Sequence, residues 1–158
     1  MAFRLAHLAD HPEHVDTIAA WWHDEWGAVT GLDLDGWREA ARRQLQTDAI
    51  PLGLVALDDG GALLGAASLV DQDASGFPPA RPRLANVYVP PEHRRRGLGS
   101  ALTEGVAAEA VRLGVADLFL YTNSQERLYA RLGWRTVKRF TLDGWGPSVV
   151  MVRNLGAP

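Results

Sequence analysis

The stretch "RLANVYVPPEHRRRGLGSAL", residues 83–102, constrains the fold of this 158-residue chain more than any other. A strand-like run halts at Pro90-Pro91, where the ladder ends because proline has no N–H to donate. From Gly97 onward Ala101, Leu102, Val106, Ala110 and Leu113 recur at helical spacing, and Gly114 supplies a C-terminal stop. A strand that turns within a few residues into an amphipathic helix predicts a mixed α/β sheet.

The remaining segments fill in that sheet. Residues 3–9 alternate apolar and polar side chains, which predicts a first strand. A helix follows, with Asp10 as its cap, Pro12 early, a face of Val15, Ile18, Ala19 and Trp22, and an end near Gly27. Trp37, Ala41 and Leu45 mark a second helix. Two apolar runs split by Asp58-Asp59-Gly60-Gly61 read as a hairpin. Residues 74–82 hold a glycine and three prolines and read as a loop. After the central strand and helix, residues 116–122 read as a buried strand. Residues 123–133 read as a short helix with a Thr122–Gln125 capping box, and the chain closes as two strands around Asp143-Gly144. The predicted order is β-α-α-β-β-β-α-β-α-β-β. No linker or repeat divides it, so a single domain over residues 1–158 is expected.

Composition removes several function classes. The formal net charge of −3 argues against a general nucleic-acid coat. The absence of cysteine removes thiol nucleophiles, disulfides and cysteine metal sites. The first residues carry no apolar signal region and nothing downstream is long enough to span a bilayer, so a cytoplasmic protein with no membrane partner is expected. Five histidines lack paired i, i+4 spacing on a helix, and no metal is expected.

Arg94-Arg95-Arg96-Gly97-Leu98-Gly99 sits where the helix opens. The first N–H groups of a helix lack intrahelical partners and lie at the positive end of its dipole. Glycine admits a ligand close to that backbone, and arginine forks match phosphate oxygens. The combination suits a diphosphate, and a solvated basic turn is the plain alternative. A P-loop is a poor match without Gly-Lys-Ser/Thr. A dinucleotide fingerprint fails because Leu102 occupies the third small position.

The same six residues resemble the R/Q-x-x-G-x-G/A signature of GNAT-type N-acetyltransferases, and "LYARLGW", residues 128–134, resembles that family's segment after strand 5. The resemblance implies the family's mostly antiparallel sheet, flanked by helices and splayed between strands 4 and 5. It implies acetyl-CoA as acetyl donor, cradled by Arg94, Arg95, Arg96, Gly97, Leu98, Gly99 and Ser100. The pantetheine arm would lie along Val87, Tyr88 and Val89, beside a strand-4 bulge with which Asn86 is compatible. It implies acetyl transfer to a primary amine of a small molecule or peptide by direct attack in a ternary complex. Tyr129 takes the family's general-acid position, also touching the cofactor, and its plain alternative is a packing tyrosine.

Strand 4 departs from the family in carrying no acid, so a water relay held by Asn86 and Tyr121 is the expected substitute for a direct base. Asp71 and Asp73 are candidates for attracting a cationic amine. Trp22 and Trp26 are candidates for walling the acceptor site, with core packing and a protein interface as the competing roles of the Trp21–Trp26 cluster. That cluster also offers apolar surface for a homodimer. A catalytically silent acyl-CoA-binding or sensing module on the same fold is the alternative function.

Overall fold

The computed structural model describes residues 2–72, 74 and 76–156. The elements are β1 (Arg4–His7), α1 (Val15–Thr30), α2 (Leu34–Arg43), β2 (Leu52–Leu57), β3 (Leu63–Val70), β4 (Arg83–Tyr88), α3 (Leu98–Arg112), β5 (Asp117–Thr122), α4 (Glu126–Arg131), β6 (Arg135–Leu142) and β7 (Gly146–Asn154). Their order is the one the sequence predicts.

All seven strands form one sheet in the order β1-β2-β3-β4-β5-β7-β6. Every neighbouring pair is antiparallel except β4 and β5. Helices cover both faces. Leu52, Leu54, Leu64 and Leu69 pack with Leu98, Leu102 and Val106 of α3 on one face. Val55, Leu57 and Ala66 pack with Ile18, Trp22 and Trp37 of α1 and α2 on the other. Strands β2 and β3 therefore lie between two apolar layers, which is why their runs are continuous rather than alternating.

Three local expectations are corrected. Asp10 does not cap α1. A separate 3₁₀ turn, Pro12–His14, precedes that helix, and its N-cap His14 makes no side-chain cap. The helix passes through Gly27 and ends at Gly31, whose φ of 72° supplies the left-handed stop. Inside the helix Gly27 leaves room for the His23 ring, which a Cβ there would meet at 2.7 Å. Finally, β5 is not buried throughout. Leu118, Leu120 and Thr122 are buried, while Asp117 is exposed and Phe119 and Tyr121 are half-buried.

The feature that positions the site is in β4. Ala66 pairs with Tyr88 and Ser68 with Ala85, so two steps along β3 face three along β4. The extra residue is a bulge, and Asn86 within it takes a left-handed φ of 57°. Beyond the bulge β4 leaves β5: Arg83 opposite Phe119 is the one registered pair between them. The sheet opens there into a cleft.

Candidate functional site

The cleft has a volume of about 1350 Å³. It runs from the first turn of α3, across the gap between β4 and β5, to a wall built by α1 and α2. Among the expected cofactor residues, Val87, Tyr88, Val89, Arg94, Arg95, Gly97, Leu98, Gly99, Ser100 and Tyr129 line it. Arg96 is exposed and is not among the described lining residues.

The turn into α3 is built as an anion cradle. Arg95 and Gly97 take left-handed φ values of 66° and 79°, which curl successive backbone N–H groups toward one side. Gly97 is the N-cap and offers no side-chain oxygen to the helix. The first regular bond of the helix runs from the Ala101 N–H to the Gly97 carbonyl at 3.0 Å, so the N–H groups before it have no partner in the helix. A Cβ built on Gly97 or Gly99 would meet nothing within 4 Å, so the space over both glycines is open. These residues fit the diphosphate of coenzyme A. Arg94 reaches back: its Nε donates to the Val89 carbonyl at 2.8 Å, which pins the turn to the end of β4.

Tyr129 stands across the cleft on α4. Its ring packs edge-on against Trp134, with centroids 6.1 Å apart. Burial lifts its phenol above the ordinary tyrosine range, and the Thr103 hydroxyl works against that rise. Thr103 in turn donates to the Gly99 carbonyl at 2.8 Å. Thr103, buried on α3 and bonded to the cradle, is a residue that the sequence reading did not single out.

Asn86 lies on the opposite wall. Its backbone carbonyl accepts from the Trp22 indole at 3.1 Å. Its side-chain Nδ2 donates to Ser68 Oγ at 3.3 Å, and Ser68 donates to Gln44 Oε1 at 2.8 Å. Trp22 itself is 1% exposed and is not among the lining residues, so the expectation that it contacts the acceptor is corrected: it supports the bulge from behind. Trp26 does line the cleft, edge-on to Tyr88 at 6.4 Å.

Tyr121 lines the cleft, but its hydroxyl donates to the Pro78 carbonyl. Its ring is covered by Phe77, 4.7 Å between centroids, and by the Arg83 guanidinium at 5.0 Å. Its hydroxyl proton is thus given to the loop before β4, which leaves only its lone pairs toward any water in the cleft. Asp71 is exposed and is not among the described lining residues, and Asp73 lies outside the described residues. The acid that the structure brings to the cleft is Glu25 of α1, beside Trp26. It stands in the Trp21–Trp26 cluster, the stretch that the sequence offers as the acceptor wall.

Two of the histidines do meet, at a spacing of three. His11 Nδ1 and His14 Nε2 lie 3.4 and 3.7 Å from the Glu13 carboxylate, because a 3₁₀ turn aligns residues three apart rather than four. This group lies ahead of α1, outside the cleft lining, and the Glu13 side chain is 62% exposed to solvent.

A family model described as the acetyltransferase (GNAT) family matches residues 15–134. No curated protein matches the chain. Among solved structures, an aminoglycoside 6'-N-acetyltransferase complexed with coenzyme A is 16% identical, with a TM-score of 0.75 over 100% of this chain and 99% of that one. A GNAT-superfamily phosphinothricin acetyltransferase from Sinorhizobium meliloti, in complex with AcCoA, is 21% identical, with a TM-score of 0.74 over 99% of this chain and 90% of that one. A GCN5-related N-acetyltransferase from Kribbella flavida is 20% identical, with a TM-score of 0.70 over 97% and 98%.

Proposed function

Because this chain belongs to the acetyltransferase (GNAT) family, we propose that it moves the acetyl group of acetyl-CoA to a primary amine of a small molecule or peptide, by direct attack in a ternary complex. One observation carries the reading. A glycine-opened helix N-terminus and a half-buried tyrosine line the same cleft, at the gap where β4 leaves β5.

The backbone N–H groups at Gly97–Ser100 hold the diphosphate, with charge from Arg94 and Arg95. The backbone of Val87 to Val89, which lines the cleft where β4 has left β5, takes the pantetheine arm as an added strand. Bound there, acetyl-CoA supplies an acetyl carbon activated by sulfur. Glu25 and Trp26 attract and flank a cationic amine at the α1 wall. Asn86, at the bulge, receives the amine beside the reacting carbon. The ammonium first gives one proton to water in the cleft, because only the neutral amine can attack. As the new C–N bond forms, the nitrogen loses a second proton, which through water replaces the one that Tyr129 gives to sulfur. Tyr129 holds the proton that the departing sulfur takes as the C–S bond breaks. The raised pKa of its phenol keeps that proton in place throughout the neutral range.

The test is release of free coenzyme A thiol with a panel of amino acids, aminoglycosides, polyamines and short peptides. Amine-dependent release by the wild type is expected. In Tyr129→Phe, turnover should fall by about 10²–10⁴-fold, with melting temperature and acetyl-CoA affinity unchanged. Saturable acetyl-CoA binding without release for any amine would favour the silent binding module.

A further inference from the structure

The described buried polar side chains of this chain are few, and two of them are Gln44, at the floor of the cleft with 2% exposure, and Ser68, behind its lining with 0%. A polar group in such a position is costly unless hydrogen-bonded. Both are bonded, and the chemistry of their atoms gives the chain of bonds a direction. Gln44 Oε1 is an amide oxygen and only accepts, so the Ser68 hydroxyl donates to it at 2.8 Å. Ser68 has one proton, so toward Asn86 it presents a lone pair. Asn86 answers with its NH₂ group, Nδ2 at 3.3 Å from Ser68 Oγ.

That direction determines which end of the Asn86 amide is left. Its nitrogen is committed to the core side. Its backbone is held by the bulge, by the left-handed φ of 57°, and by the Trp22 indole on its carbonyl. Asn86 is half-buried and lines the cleft. The side-chain oxygen is the end that remains for the cleft, and an amide oxygen is a hydrogen-bond acceptor suited to the N–H of an amine or ammonium.

We infer that Ser68 and Gln44 are positioning residues that lock the Asn86 side chain with its oxygen toward the acceptor amine. This rests on the acetyl-transfer reading of the same cleft and supplies a specific role for a strand 4 that carries no acid. An amine held by one N–H on Asn86 has its lone pair constrained in direction, which is the geometric part of catalysis. The oxygen cannot remove a proton, so Asn86 binds and orients while water takes the proton. The polar pair also explains its own burial. Apolar residues would fill the same space without leaving donors and acceptors to satisfy, and would leave the amide free to turn.

Two variants test the inference. Ser68→Ala deletes the central hydroxyl. Gln44→Met removes the acceptor that fixes the hydroxyl's direction while filling the buried volume with a flexible apolar chain, so it serves if Ser68→Ala folds poorly. The first readout needs no activity: NMR of the Asn86 side-chain amide in ¹⁵N-labelled protein. The wild type should show a protected pair of amide protons, with exchange accelerated about tenfold or more in either variant. The second readout is steady-state kinetics with whichever panel amine the wild type turns over fastest. The KM for that amine should rise about five- to tenfold while the KM for acetyl-CoA stays within about twofold, as expected for loss of one oriented hydrogen bond.

An unchanged Asn86 amide in a folded variant overturns the positioning role, whatever the activity. So does an altered amide with unchanged amine KM. A wild type that releases no thiol with any amine instead removes the acetyl-transfer reading and the proposed ligand with it, a result distinct from either of the first two.

Discussion

The Trp22 indole reaches the Asn86 carbonyl from a side chain 1% exposed, on a helix 64 residues away in sequence. A bulge displaces backbone groups from the ladder, and this carbonyl is satisfied by a side chain instead. Trp22→Phe keeps an aromatic ring but deletes the donor. A loss of about 1–3 kcal/mol is expected, since a buried carbonyl is left without its partner. Urea unfolding checks it: the midpoint should fall with an unchanged slope, and an unchanged midpoint would mean water replaces the indole. The sequence singles out Asn86 as a polar break in an apolar strand and Tyr129 through its motif, and both line the cleft. Their partners were not legible as such. Ser68, Gln44 and Thr103 read as ordinary helix or strand residues and Trp22 as an acceptor-wall candidate, while the bonds that link Trp22, Ser68 and Gln44 to the bulge join segments distant in sequence. Tyr121 shows the converse: a phenol at the right strand whose hydroxyl is committed to a loop carbonyl.

At the scale of elements, the order of strands and helices followed from hydrophobic periodicity and from Gly and Pro punctuation. The misplaced end of α1 has a clear cause, since Gly27 reads as a stop but serves close packing against His23. The site depends on how α3 is held at its far end. Glu109 of α3 bonds His7 of β1 at 2.5 Å, and Arg112 bonds both Glu109 at 2.7 Å and the Thr47 carbonyl. Partial burial pushes the Glu109 carboxyl up, but hydrogen bonds from Arg112 and His7 outweigh it and hold its pKa below the usual carboxylate value. A lowered folded-state pKa contributes stability that is present above the unfolded value and lost as pH falls through the folded one. Glu109→Gln should therefore be less stable than wild type by about 1 kcal/mol at pH 7. The gap should close as pH falls from about 4.3 toward 3 and the wild-type carboxylate protonates. Urea midpoints at pH 7, 4 and 3 measure it; a gap constant with pH would show that the ionised carboxylate contributes nothing to the link.

Across the whole molecule, one sheet is opened at a single place. Strands β1 to β4 lie between α3 and the α1–α2 pair, and β5 to β7 continue the sheet beyond the gap. The bulge and the single parallel pair turn what would be a closed ladder into a cleft with a cradle at one end and an α1 wall at the other. Among the described residues, no helix is long and apolar enough to cross a membrane. The central claim is that acetyl-CoA lies on the first turn of α3, and calorimetric titration of acetyl-CoA into wild type, Gly99→Ala and Gly99→Glu tests it most directly. Gly99 has no left-handed φ and open space beyond its Cβ position, so both substitutions leave the fold unstrained and alanine even favours the helix. The account predicts one-to-one binding to the wild type and weaker binding to Gly99→Ala. For Gly99→Glu, where a carboxylate would occupy the place of the diphosphate, it predicts a loss of about 100-fold or more. Equal affinity of folded wild type and Gly99→Glu would contradict it.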